Sequence, residues 1–179
     1  MGKATQDLRK EHEAILHVLK ILDQMFTSTL DATKKLQYYS EVVNFFRIFA
    51  DKCHHGKEEV YLFEELIKKG FHKESGPVGV MLHEHKLGRE YISMMNKSLE
   101  AKDLAGFDTA AAKYSALLRQ HINKENNVLF IMADEVLDET KQDELFREFE
   151  QHEENVIGHG VHEKLHAMIH AWAAEFNVS

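Results

Sequence analysis

His121-Ile-Asn-Lys-Glu125-Asn-Asn-Val-Leu129-Phe130 lies in the middle of an apolar-periodic segment. It has an earlier counterpart, His54-His-Gly-Lys57-Glu58-Glu-Val-Tyr-Leu62-Phe63. Both read His-x2-Lys-Glu-x3-Leu-Phe. A histidine four residues before a glutamate puts both side chains on one helix face, about one turn apart. There an imidazole nitrogen and a carboxylate oxygen can meet one metal ion. A single His-x3-Glu arises by chance on solvated helices, whereas two copies with the same trailing Leu-Phe point to a two-fold metal site.

Working outward, apolar residues recur at helical period along the whole chain. The first helix spans about 5–28, with Thr5 as N-cap. A second, capped by Asp31 or Thr33, runs to about 69 and stops at Gly70. The turn Ser75-Gly76-Pro77 starts a third, which reaches about 101. A loop around Gly106 leads to the fourth, about 108–136. Asp138 caps a fifth that ends before Gly158-His-Gly160, and a last helix follows. The expected fold is all-α: an up-down-up-down four-helix bundle over about 5–136, with two additional C-terminal helices over about 138–176. No linker or low-complexity segment divides the 179 residues, so one domain is expected.

Each long helix brings a histidine to its apolar face: His12, His54, His85 and His121. Glu58 and Glu125 join them on the second and fourth helices. An unpaired carboxylate on a buried face is costly, and either a cation or an interhelical basic residue would meet that need. On the second helix His54 with Glu58 lies toward one edge of the stripe and His55 with Glu59 toward the other. Only the first pair reproduces the later copy, so it is preferred, with Gly56 a possible kink. His55, Lys57 and Glu59 then read as a solvated or interhelical face. His17 and His83 project outward. His162-x3-His166-x3-His170 also has metal-ligand spacing, and His162, within the last apolar stripe, is a possible additional ligand.

The formal charge of −8 argues against nucleic acid or an anionic membrane as partner. No apolar run is long enough to span a bilayer, and the first residues lack a signal-peptide core. The lone Cys53 fits a reducing compartment, so a cytoplasmic location is expected. No thiolate pair is present, and imidazole with carboxylate suits iron, manganese or zinc. Two six-coordinate ions offer about twelve positions, of which four histidines, two bridging glutamates and an oxo or hydroxo bridge leave about two open. That count favours two iron ions handling a diatomic ligand or peroxide over a closed tetrahedral zinc.

The chain resembles the hemerythrin-like (HHE cation-binding) family through Glu11-His12-Glu13, His54-His-Gly-Lys-Glu58-Glu59, Gly79-Val-Met-Leu-His-Glu-His85 and His121-Ile-Asn-Lys-Glu125. The resemblance implies a non-haem di-iron centre with His12, His54, His85 and His121 as terminal ligands and Glu58 and Glu125 as bridges. Oxygen carriers of the family have a His-x3-His pair on the third helix, where Met81 precedes His85 here. They also place an aspartate where this chain has Asn126. Both departures speak against reversible oxygen transport, and one fewer nitrogen ligand leaves the iron more accessible unless His162 or Tyr61 replaces it. Three function classes follow: reaction with oxygen, nitric oxide or peroxide; iron storage, delivery or sensing without turnover; and a metal-stabilised interaction module.

Overall fold

The computed structural model describes residues 1–179 as six helices without a strand. They are α1 (Lys3–Thr27), α2 (32–68), α3 (Gly76–Glu100), α4 (104–136), α5 (Glu139–Ile157) and α6 (Val161–Glu175). The ends follow local chemistry. Asp31, Asp103 and Asp138 each accept a hydrogen bond from the backbone N–H three residues on, satisfying an otherwise orphaned donor. Gly70, at φ 99°, follows α2 in the left-handed region that glycine adopts without strain.

Two expected caps move. α1 begins at Lys3, so Thr5 lies inside it and its hydroxyl donates to the Asp134 carboxylate of α4, 2.6 Å away. α4 begins at Leu104 rather than Asp108, because Asp103 is the cap. Asp108 instead receives a hydrogen bond from the Tyr39 hydroxyl on α2.

Side-chain pairs fix the packing. Thr5 meets Asp134, His12 meets Asn126 and Asp23 meets Arg119, so α1 and α4 run antiparallel. Glu11–Lys57 and Phe26–Lys35 make α1 and α2 antiparallel. Asp51–Arg89 with Glu59–His85 does the same for α2 and α3. Glu84–Lys124, with Gly88 against Tyr114, completes the ring at α3 and α4. α5 lies along α1 and α2, and α6 closes one end, where Trp172 donates to Glu41 and packs on Phe45.

The core is divided. One apolar cluster of 24 buried residues fills the end that holds Ile15, Ala50, Ile92 and Ile122. A second, of 13, fills the end that holds Leu8, Leu62, Met81 and Leu129. Between them every bundle helix contributes buried polar side chains, among them His12, His54, Glu58, His85, His121 and Glu125.

α2 and α4 change winding at this layer. Phe46–His55, Glu58–Leu62 and Glu125–Leu129 are π-helical, with i→i+5 bonding that widens the turn and is frequent at functional sites. Gly56 does not kink α2, since its backbone stays helical at φ −61° and ψ −43°. Its role is close approach. A Cβ there would stand 2.6 Å from Nε2 of His152 on α5, which donates to the Lys52 carbonyl.

Candidate metal centre

Two groups of buried donors lie close enough together for each to hold one ion. His12, His54, Glu58 and Glu125 form one; His55, His85, His121 and Glu58 form the other. Glu58 belongs to both. Its Oε1 is 3.4 Å from His54 Nε2 and its Oε2 is 3.3 Å from His85 Nε2, so its two oxygens face different groups. Glu125 Oε2 is 3.2 Å from Nε2 of both His12 and His121.

The donor set fits metal ions on an observation independent of spacing. All four carboxylate oxygens of Glu58 and Glu125 are buried without a hydrogen-bond partner, as are both ring nitrogens of His55. Native proteins rarely leave such groups unmet. The Nε2 atoms of His12 and His54 are 2.9 Å apart, and those of His85 and His121 are 3.2 Å apart. Two nitrogens bonded at about 2.1 Å and at right angles to one ion stand about 3.0 Å apart, so each pair already spans a coordination edge.

Four of the five rings are aimed from behind. His54 Nδ1 donates to Glu11 Oε2 at 2.8 Å, and Glu11 Oε1 accepts from Lys57 Nζ at 2.7 Å. His121 Nδ1 donates to Glu84 Oε2 at 3.0 Å, and Glu84 Oε1 accepts from Lys124 Nζ. These lysines are the ones inside the two His-x2-Lys-Glu repeats. His85 Nδ1 donates to Glu59 at 2.7 Å, and Arg89 holds that carboxylate. His12 Nδ1 donates to the Asn126 amide oxygen at 2.8 Å. Such acceptors fix the tautomer, leave Nε2 free to bind an ion and raise its basicity. The trailing phenylalanines form the floor: Phe63 stacks on His85, with centroids 5.8 Å apart, and Phe130 on His12 at 5.4 Å.

The arrangement is pseudo-two-fold. Glu11, His12, His54, Lys57, Glu58 and Phe63 correspond to Glu84, His85, His121, Lys124, Glu125 and Phe130. Two positions break the symmetry: Ile122 stands where the first repeat has His55, and Asn126 where it has Glu59.

Burial sets the protonation of the layer. It pushes Glu58 well above the carboxylate range, with the Glu125 charge adding to the effect. Burial opposes the charge on Glu125 too, but His121 and His12 outweigh it and hold that carboxyl well below its ordinary value. Burial likewise opposes charge on His121, yet Glu125 and Glu84 raise it to about 9. His54 and His85 are driven well below the histidine range by burial and by neighbouring histidines.

The six residues expected as ligands, His12, His54, Glu58, His85, His121 and Glu125, are thus brought together. His162 is not among them. It lies on α6 beside His166 and Phe49, with a third of its side chain exposed. Tyr61 turns to Phe149 and His152 of α5, and His83 is exposed. His55 departs from the expected solvated or interhelical face: it is 4% exposed and stacks on His85 with centroids 3.8 Å apart. The physical reason is the π-helical winding, which brings adjacent residues 54 and 55 to the same interior. Lys57 and Glu59 are interhelical, as one branch of that expectation had it. Sequence reasoning passed over Glu11 and Glu84 as partners, although the dipeptide Glu-His recurs at 11–12 and 84–85.

No curated protein and no solved structure matches the chain. The family model described as hemerythrin HHE cation binding domain matches residues 3–133. That span holds all of α1, α2 and α3, most of α4, and every donor of both groups, and on it the chain belongs to the hemerythrin HHE cation-binding family.

Proposed function

We propose that the chain is a cytoplasmic non-haem di-iron protein that binds or reacts with a small molecule: oxygen, nitric oxide or peroxide. One observation carries this reading. Two buried glutamates, whose four oxygens lack partners, face five imidazoles in two groups that share a carboxylate. Five imidazoles in place of four revise the ligand count. If Glu58 and Glu125 both bridged beside one bridging oxygen, about one of roughly twelve positions would be open. It would fall on the group with two imidazoles, His12 and His54, because His55 gives the other group a third.

A bound iron pair supplies Lewis acidity and one- or two-electron redox chemistry. The chain's residues do the rest. Glu11, Glu59, Glu84 and Asn126 hold the Nδ1 protons, so the rings keep one tautomer and one orientation. Lys57, Arg89 and Lys124 anchor the three carboxylates. Phe63, Phe130 and the two apolar clusters keep water from the layer. By the pseudo-symmetry Ile122, 2% exposed, supplies the apolar wall beside the open position. An uncharged diatomic ligand suits that wall better than a bulky or highly charged substrate.

A second reading, iron storage or delivery without turnover, draws on the acid-lined cavity among α1, α2, α5 and α6, whose Glu11 accepts a hydrogen bond from His54. Metal analysis after growth in iron-replete medium separates both readings from a structural zinc: two irons per chain are expected. Nitric oxide or peroxide added to the anaerobically reduced protein should then change its absorption and electron paramagnetic resonance spectra. One tightly bound zinc and no iron would overturn the proposal. Intact release of iron to a chelator, without any spectral response to the small molecules, favours the second reading.

A further inference from the structure

α6 lies beyond the span matched by the family model, and its His162-x3-His166 pair plays no part in the centre described above. The two residues are one turn apart, and their Nε2 atoms stand 3.3 Å from each other. Two nitrogens at about 2.0–2.1 Å from a tetrahedral ion are about 3.3–3.4 Å apart, so the pair has the spacing of two ligands of one ion. Both rings rest on Phe49, His162 stacked at 5.8 Å and His166 edge-on at 6.1 Å. Phe49 is buried, and its fixed ring limits the orientations the imidazoles adopt. Glu153 Oε1 faces His162 Nδ1 at 3.8 Å.

The pair borders a cavity of about 590 Å³ whose lining carries six carboxylates, from Asp7 and Glu11 to Glu154 and Glu163, against two lysines. A cleft of one charge sign concentrates counter-ions. Inward from His162 the polar chain is continuous. Glu153 Oε2 lies 3.2 Å from Lys57 Nζ, which donates to Glu11 at 2.7 Å, and Glu11 reaches His54 Nδ1. Glu11, Glu153 and the Cys53 thiol offer donor atoms within 4.8 Å of one another, around the seat the Lys57 ammonium now shares.

We propose that His162 and His166 form a separate, mononuclear site for a divalent transition-metal ion, backed by Glu153 and completed by water, from which the buried centre is loaded. Two protein nitrogens with water in the other positions hold an ion loosely enough to pass it on. The buried seats, with their denser donor sets, retain it. The site itself stands without the proposed function; its loading role rests on that reading.

Co2+ titration of the metal-free full chain, followed by calorimetry and by visible absorption, tests both parts. Wild type should bind three equivalents, the third weaker than the other two. His162→Gln with His166→Gln should abolish that third equivalent and spare the other two. His170→Gln, on the exposed side of α6, should change nothing. In anaerobic Fe2+ uptake quenched with a chelator, the double variant should load about tenfold more slowly to the same final occupancy, as expected from lost local concentration. Two equivalents in wild type, or a third that survives in the double variant, would reduce the pair to an imidazole–imidazole hydrogen bond and overturn the site. An unchanged loading rate would overturn its role. A single equivalent, lost with the pair, would uphold the site and overturn the di-metal reading instead.

Discussion

Replacing Glu58 by methionine should move the metal-free and metal-loaded forms of this protein in opposite directions. Glu58 is fully buried, and neither of its oxygens has a hydrogen-bond partner. Burial and the Glu125 charge raise its carboxyl well above the ordinary carboxylate range when no cation is bound. A buried polar group without a partner costs about 1–3 kcal/mol by mutational measure. Methionine fills a similar volume with no atom that demands a partner. The metal-free variant should therefore be more stable by about 1–3 kcal/mol, a rise in Tm of roughly 2–12 °C for a chain of this size. With metal present the order reverses. A ligand at a hundred times its Kd adds about 2.7 kcal/mol, and a thioether is a poor substitute for a carboxylate on iron. The assay is differential scanning calorimetry after chelation and after anaerobic reconstitution, with metal analysis of each sample. The gap between the two wild-type melting temperatures should narrow from both sides in the variant. A metal-free variant that melts below metal-free wild type would refute the reasoning, because Glu58 would then have a stabilising partner. Retention of two tightly bound ions would refute it as well.

Three other perturbations probe the same layer. Glu125→Ala should lose at least one ion, whereas Glu59→Ala should keep two at saturation but weaken binding about 10–100-fold by freeing the His85 ring; competition with a chelator reads both. Metal binding should release protons at pH 7, because Glu125 and Glu84 raise His121 to about 9 against the opposing effect of burial, and burial raises the Glu58 carboxyl. Since protons compete with the metal for these two groups, the apparent affinity should rise with pH until His121 has titrated near 9, and calorimetry in buffers of different ionisation enthalpy counts the protons. Ile122→His should complete the pseudo-symmetry, tighten the second Co2+ by about tenfold and weaken azide binding to the loaded protein. Unchanged azide affinity would show that Ile122 does not border the open position.

Most of the bundle was legible because each long helix keeps a stripe of period 3.6 and ends on recognisable chemistry. Gly70, Pro77, Asp138 and Gly158 marked boundaries that the structure keeps to within a residue or two. The centre was legible in its donors, since His-x2-Lys-Glu-x3-Leu-Phe occurs twice and each element of it has a contact: imidazole and carboxylate inward, lysine to a neighbouring glutamate, phenylalanine beneath a ring. His55 was not legible. A wheel at 100° per residue sends His54 and His55 to different edges, and only the wider π-helical turn brings both inside. Nothing in one sequence announces such a change of winding, which depends on tertiary packing. The partners of Lys57 were hidden for a related reason: its three carboxylates come from α1 and α5, and no local pattern predicts that packing.

The division of the core explains why the centre and the fold depend on each other. A layer of five histidines and two glutamates between apolar clusters of 24 and 13 residues offers little hydrophobic stabilisation of its own. The hydrogen bonds that span it, Glu11 to His54, Glu59 to His85, Glu84 to His121 and Asn126 to His12, each join neighbouring helices of the ring. They hold the rings in place but leave Glu58 and Glu125 unmet, and a cation between the helices is what those carboxylates can use. A cation bound there would draw α1, α2, α3 and α4 together at one level, so part of its binding free energy would appear as folding free energy. The two breaks in symmetry, His55 against Ile122 and Glu59 against Asn126, make the two donor groups unequal. One group has three imidazoles, two of them bonded through Nδ1 to glutamates and His55 lying 3.5 Å from Asp51; the other has two imidazoles, His12 and His54.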